Sequence, residues 1–163
     1  MRKSMIVLAL VAGCGARDQP RARGGGNGPD GTTAAVAASD AGLIGLYQSG
    51  GGVRPSQMCI VEKGAKAQFG ITLWGPNLRA CSGAGAATRS GDRLRLAMAG
   101  DSPCTLDARL EKGIVTLPDA IPAGCAYYCG AGTSFAGARL AKQGGTVADA
   151  MKAKDVAGEK LCG

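Results

Sequence analysis

The residues best suited to chemistry in this chain are its cysteines and carboxylates, because none of its 163 residues is a histidine. Without an imidazole there is no Ser-His-Asp or Cys-His nucleophile and no His-ligated metal site. No Ser stands three residues before a Lys, no Walker A pattern occurs, and no G-x-G-x-x-G opens a helix. The most distinctive cluster is Cys125-Ala126-Tyr127-Tyr128-Cys129. Three residues separate its cysteines, where the thioredoxin-like redox motif has two. It reads as part of a structural disulfide framework. Its tyrosines read as a core and a surface residue, in that order, or as an edge for a ligand. Asp92, Asp101, Asp107, Glu111 and Asp119 are the candidates for an acid–base pair of the kind glycoside hydrolysis needs. Most adjoin a Gly, Pro or Arg, as turn and surface residues do, and no spacing singles out two of them. The expectation is a non-enzymatic protein with no catalytic residue, no metal and no cofactor.

The start of the chain indicates the compartment. Met1-Arg2-Lys3-Ser4 is short and cationic, and Met5-Ile6-Val7-Leu8-Ala9-Leu10-Val11-Ala12 is an uninterrupted apolar run. A helix needs about twenty residues to cross a bilayer, so this run suits the h-region of a secretory signal. It ends in Leu10-Val11-Ala12-Gly13-Cys14. That stretch resembles the lipobox of bacterial lipoproteins: an aliphatic residue three before the cysteine, two small residues, then Cys. The resemblance implies cleavage of residues 1–13 as a signal peptide and diacylglycerol on the Cys14 thiol. It further implies an N-acyl group, such as palmitate, on the new terminus. Gly15 rather than Asp follows the cysteine, which by the usual sorting rule implies the outer membrane, facing the periplasm. Two or three acyl chains anchor stably where a single one is marginal.

Residues 14–42 combine this lipidation site with a run rich in Gly, Pro and Ala. So little apolar area cannot offset the entropy of ordering, and the run reads as a flexible tether. Arg17, Arg21 and Arg23 in it read as solvated linker charge close to the anchor. The formal charge of +7 falls to +5 once Arg2 and Lys3 leave with the signal peptide. A modest basic excess suits solubility and contact with anionic envelope material, such as lipid headgroups or cell-wall polymers. The basic residues are scattered along the sequence and aromatics are few, so nucleic acid is not an expected partner.

Residues 43–163 read as one β-rich domain. Strand signals occur at residues 43–47, 58–61, 69–74, 93–98, 106–110, 114–117 and 134–140. In the fourth, Leu94, Leu96 and Met98 fall on one face. Gly64 and Gly113 sit where turns need a positive φ. Short strands with close turn signals predict a small antiparallel meander barrel or sandwich of seven to eight strands. Thr146-Val147-Ala148-Asp149 has the form of a capping box, so a C-terminal helix is predicted over about 146–157, ending near Gly158. Cys59, Cys81, Cys104, Cys125, Cys129 and Cys162 form an even set, expected to be oxidised in the periplasm. Six cysteines allow 15 pairings. Closing neighbouring hairpins and pinning the helix suggests Cys59 with Cys81, Cys104 with Cys125, and Cys129 with Cys162.

These elements lead to a membrane-anchored envelope lipoprotein with a binding or envelope-maintenance role. Its expected partner is an envelope protein, a cell-wall polymer or lysozyme. Cys81-Ser82-Gly83-Ala84-Gly85, with Arg89 close behind, loosely resembles the Ser/Gly-rich loop of lipid-anchored β-barrel lysozyme inhibitors. The resemblance implies that Ser82 and Arg89 would meet the acidic groups of lysozyme. The aromatic residue often found after that loop is missing, since Ala86, Ala87 and Thr88 stand there. A third reading is a carrier of a small apolar ligand in a barrel lumen.

Overall fold

A computed structural model describes residues 42–50 and 54–163. The expected signal peptide, Cys14 and the expected tether through residue 41 lie outside the described residues. Eight strands follow in chain order: β1 Gly45–Ser49, β2 Ser56–Lys63, β3 Lys66–Trp74, β4 Ala80–Ser90, β5 Arg93–Met98, β6 Thr105–Glu111, β7 Ile114–Thr116 and β8 Arg139–Gly144. Each pairs antiparallel with the next, and β8 pairs back onto β1 to close a barrel. Closure leaves no open edge to pair with another chain. The predicted meander barrel is therefore present, with eight strands.

Alternation fills the interior. Leu94 and Leu96 on β5, Leu106 and Leu110 on β6, Val115 on β7 and Leu140 on β8 are buried, and Met98 packs against them. Met58, Ile60, Phe69 and Ile71 complete the same core from β2 and β3. The turn between β2 and β3 is as expected, with Gly64 at φ 64°. Lys112 and Gly113, at φ 49° and 77°, make the tight turn between β6 and β7.

Strand β4 went unread in the sequence. Ala80–Ser90 contains only Ala, Cys, Ser, Gly, Thr and Arg, and most of these have weak strand propensity. The chain is held extended because β3 pairs with Ala80–Ala87 and β5 with Gly85–Ser90, so every residue of β4 lies in a ladder. Its small residues make room for their neighbours. A Cβ at Gly83 would lie 2.7 Å from Met98 Sδ and 3.2 Å from Tyr128 Cδ1. The segment expected as an exposed Ser/Gly-rich loop is therefore the middle of a barrel wall.

Two other boundaries differ. The last strand is Arg139–Gly144, not residues 134–140. Phe135 instead enters the core from the β7–β8 connection, where Ala136 N–H donates to Ser134 Oγ and Gly137 turns the chain at φ 64°. The C-terminal helix α1 spans Val147–Ala150, much shorter than 146–157. Past Met151 the backbone finds other partners. Lys154 N–H donates to Gln57 Oε1, and Asp155 Oδ1 accepts from Ala157 and Glu159 N–H. The tail then lies on the outside of the barrel, where Ala150, Ala153 and Cys162 cover Leu46, Cys59 and Val61 in a second, smaller core.

The capping box itself is present, with Thr146 and Asp149 exchanging hydrogen bonds. Hydrogen bonding from Lys152, then from Thr146, holds the Asp149 carboxyl down at about 2, against an ordinary value of 3.8. A depressed carboxylate stabilises the fold above its unfolded pKa, and that contribution is lost as pH falls through the folded one. Asp149→Asn should therefore remove part of the fall in melting temperature between pH 4 and pH 2. An unchanged acid limb would show that the box does not contribute.

The disulfides are Cys59–Cys162, Cys81–Cys129 and Cys104–Cys125. Only the last matches the pairing expected from the sequence. Cys59–Cys81 is ruled out by the pleat: Cys59 faces outward beneath the tail, Cys81 faces the core, and β3 lies between them. Cys129 instead pairs with Cys81 across an isolated antiparallel bridge, which leaves Cys162 to pin the tail to β2.

Candidate functional site

Strand register converts scattered arginines into a row. On β5 the buried Leu94 and Leu96 force Arg93 and Arg95 outward, and on β6 Ala108 and Leu110 do the same for Asp107 and Arg109. Arg93 stands opposite Arg109, Arg109 opposite Thr116, and Thr116 opposite Arg139. Ser90 on β4 extends the row beyond Arg93. In the next row Thr88 faces Arg95, and Arg95 faces Asp107. Neighbouring strands lie about 4.8 Å apart, so three guanidiniums cross four adjacent strands.

Three recesses lie between these side chains, and Arg109 lines all of them. The largest, 550 Å³, is formed with Thr88, Ser90, Arg93, Arg95 and Asp107. A second, 390 Å³, adds Asp119 and Arg139, and a third, 340 Å³, adds Glu111 and Lys112. Arg109 is already partnered: its Nη1 lies 3.1 Å from Asp92 Oδ2 and 3.4 Å from Glu111 Oε1. Among the described residues the side chains of Arg93, Arg95 and Arg139 form no ion pair or hydrogen bond. Two like charges directly opposite in a sheet repel. The Arg93–Arg109 pair is relieved by the acids beside Arg109 and would be relieved further by an anion between them. Guanidiniums bind carboxylate and phosphate oxygens through paired hydrogen bonds, and Thr88, Ser90 and Thr116 add neutral hydroxyls.

The carboxylates weighed in the sequence do not converge on one another. Asp92 and Glu111 hold Arg109, Asp107 faces Arg95, and Asp119 lines the recess beside Arg139. Asp101 lies in the β5–β6 connection, at the other end of the barrel from Asp92 and Glu111. Among the described residues no group of three or more Cys, Asp or Glu is placed to hold a metal.

The four residues weighed for partner binding are separated. Ser82 faces outward on β4, and its hydroxyl meets that of the fully buried Thr72 at 3.2 Å. Arg89 lies on the opposite face of the same strand, and its Nε donates to Gly91 O at the barrel end that carries the β4–β5 turn. There Tyr47 Oη donates to Leu43 O, and Lys142 Nζ donates to Gly42 O. Burial raises the Tyr47 phenol to about 12, partly opposed by Arg89. Burial, then Arg89, lowers the Lys142 ammonium. The tyrosine pair is a core and a surface residue in the reverse of the expected order. Tyr128 packs inward and donates to Ser102 O, while Tyr127 is exposed.

Sequence reading missed Arg93, Arg95, Arg109 and Arg139 as a group. The alternation in Arg93-Leu94-Arg95-Leu96 was visible, but the row exists only through cross-strand register. Comparison with known proteins finds no matching family model, no matching curated protein and no matching solved structure.

Proposed function

We propose that this chain is a lipid-tethered envelope lipoprotein whose barrel binds anionic envelope material on the outer face of β4–β8, without turnover. The observation that carries this reading is the arginine row with Arg95 beside it, in which the guanidiniums of Arg93, Arg95 and Arg139 are unpaired and open onto adjoining recesses. The phosphate and carboxylate groups of cell-wall polymers have the matching chemistry. Cys14, as the lipidated residue, would hold the domain within reach of such polymers at the outer membrane.

Two other readings lose support. The interior is occupied by Met58, Ile60, Phe69, Ile71 and the leucines of β5 and β6, which argues against carriage of an apolar ligand. Ser82 and Arg89 point to opposite faces of β4, so they do not form the joint contact that a lysozyme-inhibitor loop requires.

The test uses the full-length protein in neutral detergent, with long-chain polyphosphate as the anionic probe. Combined Arg93→Ala, Arg95→Ala and Arg139→Ala should weaken binding by about tenfold or more, since each charge-assisted hydrogen bond contributes about 1.5–3 kcal/mol. The same change should flatten the dependence of affinity on salt. Equal affinity in the variant and the parent would remove the arginine row from the account.

A further inference from the structure

A second recess lies where β2 begins and β3 ends, and it shares no residue with the three beside the arginine row. Its walls are held by several bonds. Trp74 N–H donates to Ser56 Oγ at 2.9 Å, which ties the end of β3 to the start of β2. Lys154 N–H donates to Gln57 Oε1 at 2.8 Å, which brings the tail against β2. The tail then folds back on itself. Asp155 N–H donates to Glu159 O, Gly158 N–H donates to Asp155 O, and Lys154 meets Lys160 across an isolated antiparallel bridge. Just beyond, Cys162 is bonded to Cys59. The hollow so enclosed measures 300 Å³. Small-molecule sites run from about 300 to 1,000 Å³, so this one suits a single ring-sized group.

Three kinds of group line it. The first is cationic. The Arg54 guanidinium lies over the half-buried Trp74 ring, 4.9 Å from its centroid. Such stacking holds a guanidinium flat and leaves the N–H groups along its edge free for an oxygen anion. Lys154 adds a second cation, and among the described residues neither side chain forms an ion pair or hydrogen bond with a polar group. The second kind is a fixed donor and a fixed acceptor. Gln57 Oε1 is taken by Lys154 N–H, so the carboxamide is oriented and its Nε2 is left to donate. Asp155 Oδ1 accepts from Ala157 and Glu159 N–H, so its Oδ2 is left to accept. The third kind is apolar surface, from Pro55, Ala157 and the half-exposed Val156.

Each kind narrows the ligand. Two cations against one carboxylate call for an anion. A bare anion would leave the Gln57 amide unused and would be repelled by the free Asp155 oxygen. An acyl chain would desolvate Arg54, Gln57, Lys154 and Asp155 without replacing their hydrogen bonds with water. A ligand with one carboxylate, several hydroxyls that both donate and accept, and a face of C–H groups satisfies all three kinds at once. We infer that this hollow binds a single acidic sugar ring. Its carboxylate meets Arg54 and Lys154, its hydroxyls lie between Gln57 Nε2 and Asp155 Oδ2, and its C–H face packs beside Trp74 on Pro55 and Val156. The site is separate from the arginine row, and neither reading rests on the other.

The experiment titrates the full-length protein with the methyl glycoside of glucuronic acid, at constant ionic strength and in a detergent without a sugar headgroup. Two signals are read: the emission of Trp74, the sole tryptophan, and saturation transfer from the protein to the sugar protons by NMR. Both should saturate with the glucuronide. Methyl glucoside, which lacks the carboxylate, and acetate, which lacks the ring, should each bind about tenfold or more weakly. Arg54→Lys keeps the charge but loses the flat fork, and should weaken the glucuronide about tenfold. Lys154→Gln should do the same. Both side chains are exposed, so neither variant should change the melting temperature. The variant lacking Arg93, Arg95 and Arg139 should bind the glucuronide as the parent does, so the two sites fail separately. Absence of both signals with the glucuronide would overturn the inference. So would acetate binding as tightly as the glucuronide, which would leave a general anion site, or unchanged affinity in Arg54→Lys.

Discussion

Replacing Gly85 with alanine will destabilise the barrel by about 3 kcal/mol or more. Gly85 lies on β4 between Phe69 of β3 and Met98 of β5. A Cβ built on it falls against the carbonyl oxygen of Ala97, within 2.9 Å of both Ala97 C and Ala99 N. These are backbone atoms of the neighbouring strand, so no rotamer change can relieve the overlap. Ala99 N–H is also engaged, donating to Ala84 O at 2.8 Å. The clash must therefore separate β4 from β5 at a point where the barrel has no slack. Gly64 provides the contrast. Nothing lies within 4 Å of its Cβ position and only its φ of 64° opposes alanine, so Gly64→Ala should cost about 1 kcal/mol. Urea unfolding of both variants at constant slope measures the difference. Equal costs would mean that β4 and β5 are not packed as described.

Removing the Cys59–Cys162 disulfide, as the double serine variant, will cost about 4 kcal/mol and release the tail. The bond closes a separation of 103 residues, against 48 for Cys81–Cys129 and 21 for Cys104–Cys125. In the chain-entropy model the longest loop gives the largest stabilisation. The structural consequence is local. Ala150, Ala153 and Cys162 sit over Leu46, Cys59 and Val61 outside the barrel wall, while the larger core lies within the barrel. Leu161 fits only because position 70 is glycine, whose Cβ would lie 2.6 Å from the Leu161 carbonyl oxygen. The reduced tail should therefore detach while the eight strands persist. Trypsin should then cut at Lys152, Lys154 and Lys160 well before it attacks the barrel. Simultaneous loss of tail and barrel would contradict the separation into two cores.

Which of these features were legible in the sequence follows from how each is encoded. Period-two alternation is local, so the inward face of Leu94, Leu96 and Met98 was visible, as were the turns at Gly64 and Gly113. The capping box of Thr146 and Asp149 was visible for the same reason. Strand β4 was not, because its residues are chosen for the space they leave to Met98, Tyr128 and the Ala97 backbone. The end of α1 depends on Gln57, about a hundred residues away, which accepts the Lys154 N–H. Disulfide pairing depends on which face of the pleat each cysteine occupies. Cys59 and Cys81 are close in sequence yet face opposite sides of the wall. The arginine row is the extreme case. Arg93, Arg109 and Arg139 are 16 and 30 residues apart, and only strand register aligns them.

The functional account rests on an exported, oxidised and lipid-tethered domain. The most direct test is the intact mass of the protein extracted from membranes, alkylated with and without prior reduction. The expected mass is that of residues 14–163 plus acyl groups, with six cysteines alkylated only after reduction. Peptides cleaved without reduction should carry Cys59 joined to Cys162, Cys81 to Cys129 and Cys104 to Cys125. A mass that retains residues 1–13, or thiols that alkylate without reduction, would place the chain in another compartment and contradict the account.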